Sequence, residues 1–195
     1  MNMYNKQLYK VFIVLTISLI LIGCGIRTKH DNDDKQNAVF TTKSMTARGA
    51  KGAKEEKNLN LEKVLNYALE DEYMERTRCE MISDKYGEEN NIAEIKMEQN
   101  THIYKLLNLM KKNNIPLPGD KSREYLGGLP NTLSESYKLL VESKKESIEM
   151  YERFLKEYEL PEDLKKVFEQ LQLDCKKHMD MFSEYINKVS NKKDN

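Results

Sequence analysis

The sequence predicts an all-α protein: a four-helix bundle with one long crossover between its second and third helices, preceded by an export signal and a flexible tether. Three observations lead there. With 33% charged residues but only eight glycines and four prolines in 195 positions, the composition suits one helical domain and excludes a collagen-like or disordered chain. Four stretches repeat apolar residues at three- and four-residue steps, and a connection rich in proline and glycine divides them into two pairs.

Residues 1–23 are an export signal. Lys6 and Lys10 precede an apolar run from Val11 to Ile22. Twelve helical residues reach only ~18 Å, too short for a hydrocarbon core of ~30 Å and typical of a signal peptide. The run ends in Leu21-Ile22-Gly23-Cys24, which resembles the lipobox of bacterial lipoproteins. That resemblance implies lipidation of Cys24 and a partner in the membrane, on the outer face of the cytoplasmic membrane. Two acyl chains on one cysteine make such an anchor durable where a single chain does not.

Residues 24–58 read as the lipidated cysteine and a flexible tether. Phe40 is the only aromatic residue in this stretch and no apolar period survives more than one turn. Such a segment cannot offset an ordering entropy of ~1–2 kcal/mol per residue. Eight basic against five acidic residues suit a solvated linker, and His30 within it is not a ligand. Over the whole chain Lys plus Arg equals Asp plus Glu at 32 each, so no basic field exists to hold nucleic acid.

Residues 59–190 form the bundle, and 191–195 are a polar tail. The first helix covers about 61–85, with Leu61, Leu65, Ala68, Glu72, Cys79, Ile82 and Tyr86 on one stripe. The second covers about 91–113 and carries Ile92, Ile95, Gln99, His102, Leu106 and Met110. The third covers about 133–158 with Tyr137, Val141, Lys144, Ile148, Tyr151 and Leu155. The fourth opens at Pro161 and carries Leu164, Phe168, Leu171, Cys175, His178, Phe182 and Tyr185. Short links, Gly87 to Asn90 and Glu159-Leu160, make each pair an antiparallel hairpin. The sixteen residues from Ile115 to Pro130 hold three prolines and three glycines. They reach up to ~50 Å, enough to run back along a helix of ~35 Å and start the third helix at the far end.

Glu72, Gln99, His102, Lys144, Cys175 and His178 occupy stripe positions near the midpoint of their helices, and so converge on one layer. Each buried polar group there costs ~1–3 kcal/mol unless satisfied. Two accounts satisfy them: a metal centre built from inward carboxylates and imidazoles, or a metal-free network of hydrogen bonds and ion pairs.

The strings Asp71-Glu72-Tyr73, Asp84-Lys85-Tyr86-Gly87, Glu98-Gln99-Asn100-Thr101-His102-Ile103, Ile148-Glu149-Met150-Tyr151 and Val167-Phe168-Glu169-Gln170-Leu171 through Cys175-Lys176-Lys177-His178 resemble the bacterial ferritin-like family of domain of unknown function 2202. The likeness spans about 60–188. Relatives resemble rubrerythrin-type proteins, which implies a Glu on the first helix, a Glu three before a His on the second, a Glu on the third and a His on the fourth. Glu72, His102 and His178 match that pattern, whereas Gln99 and Lys144 do not.

Glu98 and Asp174 lie four residues before His102 and His178 and share their faces, so Glu72, Glu98, His102, Asp174 and His178 form the candidate ligand set. Carboxylate and imidazole donors suit iron, manganese or zinc. Glu142 and Glu146 lie more than ~120° around the third helix from its stripe. A lysine ammonium in the layer repels a divalent cation, and the pairing expected here is Lys144 with Glu72.

No phosphate-binding loop, zincin string or nucleophile elbow appears, so no catalytic residue is assigned. Gln99 and Lys144 speak against an oxidase- or peroxidase-like two-metal activity, and most of the tyrosines read as helix packing. With the crossover, Cys79 and Cys175 stand ~15 Å apart along the axis, beyond the ~7 Å limit for a bridge, and are expected as thiols.

Overall fold

A computed structural model describes residues 47–87 and 90–191. The export signal, Cys24, most of the tether and the tail from residue 192 lie outside the described residues. Six helices and no strand occur among them: α1 Gly49–Glu55, α2 Leu61–Tyr86, α3 Asn90–Lys112, α4 Ser122–Tyr125, α5 Leu133–Glu157 and α6 Glu162–Asn191. No helix among the described residues is long and apolar enough to cross a membrane.

The four long helices begin and end where local chemistry places them. Asn60 caps α2 by accepting from the Lys63 amide, and Gly87, at φ 89°, ends it in a backbone conformation that favours glycine. Thr132 and Glu135 form a capping box at the start of α5. The Pro161 carbonyl accepts from the amides of Leu164 and Lys165, which starts α6 one residue after the predicted position.

Residue pairings fix the helix directions. Glu72 faces His102 while Arg76 faces Asn100, so α2 and α3 are antiparallel. Asp71 meets Ser147 and Glu75 meets Ser143, so α5 also runs against α2. His102 meets Asp174 and His178 meets Glu98 across α3 and α6, which are antiparallel too. The α3–α5 connection is tied along α2, from Arg76 on Asp120 to the Tyr86 hydroxyl on the Pro130 carbonyl at 2.7 Å.

The core is divided. One apolar cluster includes Leu65, Leu69, Leu106, Phe154 and Phe168; the other holds Cys79, Ile82, Ile92, Ile95, Tyr137, Leu140 and Phe182. Between them Asp71, Glu72, Glu75, Gln99, His102, Ser143, Lys144, Ser147 and His178 are all buried. Cys175 lies in the first cluster and Cys79 in the second, and both are free thiols, as the axial arithmetic requires.

One boundary needs correction. The tether predicted to reach residue 58 is folded from Ala47 on, as α1, whose Ala50 and Ala53 join the first cluster. Seven residues make no stable helix alone, and its stability comes from side chains of α2 and α5.

Candidate functional site

The layer is assembled by the middle turns of α2, α3, α5 and α6. On α2, Asp71, Glu72 and Glu75 are buried together, a concentration of negative charge that the surrounding helices neutralise. Glu72 Oε2 accepts from His102 Nδ1 at 3.2 Å and Oε1 from the Tyr151 hydroxyl at 2.9 Å. Burial alone raises the carboxyl's pKa, but His102 and Lys144 outweigh it and hold it below the usual carboxylate range. With its amide oriented as its neighbours require, Gln99 donates to Glu72 and accepts from Lys144 Nζ at 3.0 Å.

Lys144 is only 1% exposed, and its ammonium lies 3.3 Å from Glu75 Oε2. The expected partner, Glu72, is therefore wrong: Glu75 holds the lysine, and Gln99 stands between Lys144 and Glu72. Arg78 and the Ser143 hydroxyl also donate to Glu75 Oε1. Burial works against the lysine's charge, yet Glu75 and the other acids outweigh it and keep Lys144 protonated well above its usual range. Glu75 is held low in turn by Lys144 and Arg78 against its own burial.

The two histidines belong to reciprocal pairs. His102 Nε2 meets Asp174 Oδ2 at 3.1 Å, so its ring lies between two carboxylates. Burial lowers its pKa, but Glu72 and then Asp174 overcome that, leaving a net rise. His178 Nε2 donates to Glu98 Oε2 at 2.6 Å, and Lys177 joins the same carboxylate at 2.8 Å. Burial and then Lys144 lower the His178 pKa despite Glu98, so this ring favours the neutral form. Its Nδ1 is buried with no hydrogen-bond partner. The ring centroids of His102 and His178 lie 6.3 Å apart.

The five candidate ligands thus fall into two groups on successive turns, Glu72–His102–Asp174 and Glu98–His178, each joined by its own hydrogen bonds. Among the described residues no group of three or more His, Cys, Asp or Glu side chains is arranged to hold a metal ion. Cys175 is too buried to ionise, its pKa pushed well up by desolvation, and Cys79 is pushed up to about 12 by burial and by Glu75. Glu142, Glu146 and Glu149 face away from the layer and bind lysines at the surface.

Asp71, Glu75, Arg78, Ser143 and Ser147 were not anticipated as members. Glu75 carried a legible signal, because it is three residues after Glu72 and four before Cys79 on the same stripe. Asp71 carried none: its Oδ1 accepts from the Ala50 amide of α1 at 3.1 Å, and the sequence of α1 has the composition of a tether. The chain matches no protein-family model, no curated protein and no solved structure.

Proposed function

We propose that this chain is an exported lipoprotein, anchored through Cys24 to the outer face of the cytoplasmic membrane, displaying a ferritin-like bundle in which a fixed-charge network stands in place of a metal centre. On this reading it is a metal-free helical interaction module rather than an oxidase. The fold part rests on the helix directions: α2 and α6 run one way, α3 and α5 the other, and the connection tied along α2 serves as the single long crossover.

The observation that carries the functional part is charge balance. Glu72 has His102, Glu75 has Lys144 and Arg78, and Glu98 has Lys177. A two-metal centre does not fit these donors, since an amide and an ammonium occupy positions where carboxylates are needed and the ammonium already spends the charge of Glu75.

A second reading has one observation in its favour. The orphaned Nδ1 of His178 has a lone pair to spare, and it would join a single ion held with Glu72, His102 and either Glu98 or Asp174. Thermal melting separates the two. The network predicts a midpoint unchanged to within about 2 °C on adding zinc, manganese or ferrous iron, because only an ion that binds the native state raises stability. A rise of several degrees that His178→Ala abolishes supports the single ion instead.

Anchoring has its own test. Cys24→Ser should leave an unprocessed precursor or release the protein from membranes, read by fractionation and intact mass. Processing and attachment that survive the substitution overturn the lipoprotein reading.

A further inference from the structure

We infer that α1 is a releasable strap that closes the seam between α2 and α5 over the buried polar layer, so that its docking decides whether the layer is sealed. A seven-residue helix is far below the length at which a helix is stable in water. Its helical state therefore exists only while docked, which makes it a two-state element.

The seat accepts only a small-residue face. A Cβ on Gly52 would come within 2.4 Å of the Ala47 carbonyl oxygen and 2.8 Å of the Tyr67 ring. Gly49 has φ +54°, and a Cβ there would press on the Asp71 backbone at 3.1 Å. Ala50 and Ala53 are buried beside them.

Both ends of the strap are then held by groups of other helices. Glu70 accepts from Arg48 Nη1 at 2.9 Å and from the Gly49 amide at 3.1 Å, while Asp71 accepts from the Ala50 amide. At the other end Arg153 of α5 donates to the Ala53 carbonyl and, at 2.7 Å, to that of Glu56. Lys51 and Lys54 reach Glu146 and Glu149 only as exposed pairs, which add little.

What lies beneath gives the strap its consequence. Asp71 touches α1 with one oxygen and Ser147 with the other at 2.6 Å, and Ser147 leads to Ser143 and Glu75. Undocking removes the cover from Asp71 and, with it, the dry surroundings on which the layer's ion pairs depend. The link 56–60 is tied to α2 and α5 through Glu56, which meets Lys63 at 2.9 Å and Arg153 at 2.7 Å, so the strap peels from its N-terminal end, where the Arg48–Glu70 contact opens first.

Hydrogen exchange read by mass spectrometry on the full chain tests this. Arg153→Met removes the C-terminal clamp, Gly52→Val blocks the seat, and Arg153→Lys keeps one donor. In both disruptive variants, amides 50–56 should exchange roughly tenfold to a hundredfold faster, the size of one or two lost charge-assisted hydrogen bonds. Segments 68–76 and 143–151 should accelerate with them, while 92–106 of α3 keeps its protection and Arg153→Lys falls between. Faster exchange in the strap alone would show that it seals nothing. Equal acceleration of all four long helices would show that it is no separate unit, and unchanged strap amides in both variants would show that these contacts do not hold it; each result overturns the inference.

Discussion

Lys144→Met is expected to destabilise the bundle by about 3–5 kcal/mol, the cost of breaking a buried pair from one side. The substitution leaves the Glu75 carboxylate with Arg78 and Ser143 only, and leaves the Gln99 carbonyl without its donor. Methionine is close to lysine in volume, so little of the loss comes from a cavity. Urea unfolding measures it directly, and in a domain of this size the melting point should fall by roughly 10 °C or more. The double variant Glu75→Gln with Lys144→Met should recover part of the loss, because the buried carboxylate and ammonium are both gone while Arg78 gives up its acid. A double variant as unstable as the single one would mean that the lysine packs rather than pairs.

Asp71→Asn should reverse the way stability depends on pH between about 4 and 7. Burial and then the neighbouring Glu75 raise the Asp71 pKa from 3.8 to about 7, so the folded state holds a proton that the unfolded state has released. The stability this contributes is complete below about pH 4 and is lost as pH rises to 7, at a slope of up to about 1.4 kcal/mol per pH unit. The geometry accommodates the proton: Asp71 can donate to Ser147 Oγ, while Ser147 in turn donates to the Ser143 carbonyl at 3.1 Å.

His178 pulls the other way, since its lowered pKa costs stability as pH falls below about 6.5. Asparagine mimics the protonated carboxyl at every pH. The variant should therefore match the natural chain near pH 3 and exceed it by roughly 4 kcal/mol at pH 8, with the opposing shifts of His102 and His178 present in both chains. Equal pH profiles for the two chains would place the Asp71 proton elsewhere.

The long helices were readable because each keeps its apolar stripe for several turns and is bounded by residues with a clear reason to start or stop it, such as Pro161 before α6 and Gly87 after α2. The level of the polar layer was readable for the same reason: Glu72, His102, Lys144 and His178 each interrupt a stripe. Partner choice within that layer was not. Glu72 and Glu75 share a stripe, and only the rotation of α2 against α5 and α3 gives the lysine to Glu75 and the histidine to Glu72.

α1 escaped for a different reason. Its sequence Gly49-Ala-Lys-Gly-Ala-Lys-Glu55 has too little apolar area to declare itself, and its stability is supplied by Arg153, about 100 residues away, and by a seat that only glycine and alanine fit. Glu98 and Asp174 were legible as neighbours of the histidines on their own helices. Their crossing over, each acid taking the other helix's imidazole, follows from the antiparallel run of α3 and α6.

On the proposed reading Lys144 supplies the positive charge a metal would otherwise bring. Elemental analysis of the protein purified from cells supplied with iron, manganese and zinc tests it most directly, with Lys144→Glu beside it as the variant that replaces the ammonium by a carboxylate. Less than about one ion per ten chains is expected in the natural protein and a clear gain in the variant, lost again in His102→Ala or His178→Ala. One or two ions per natural chain, lost in those same histidine variants, would contradict it.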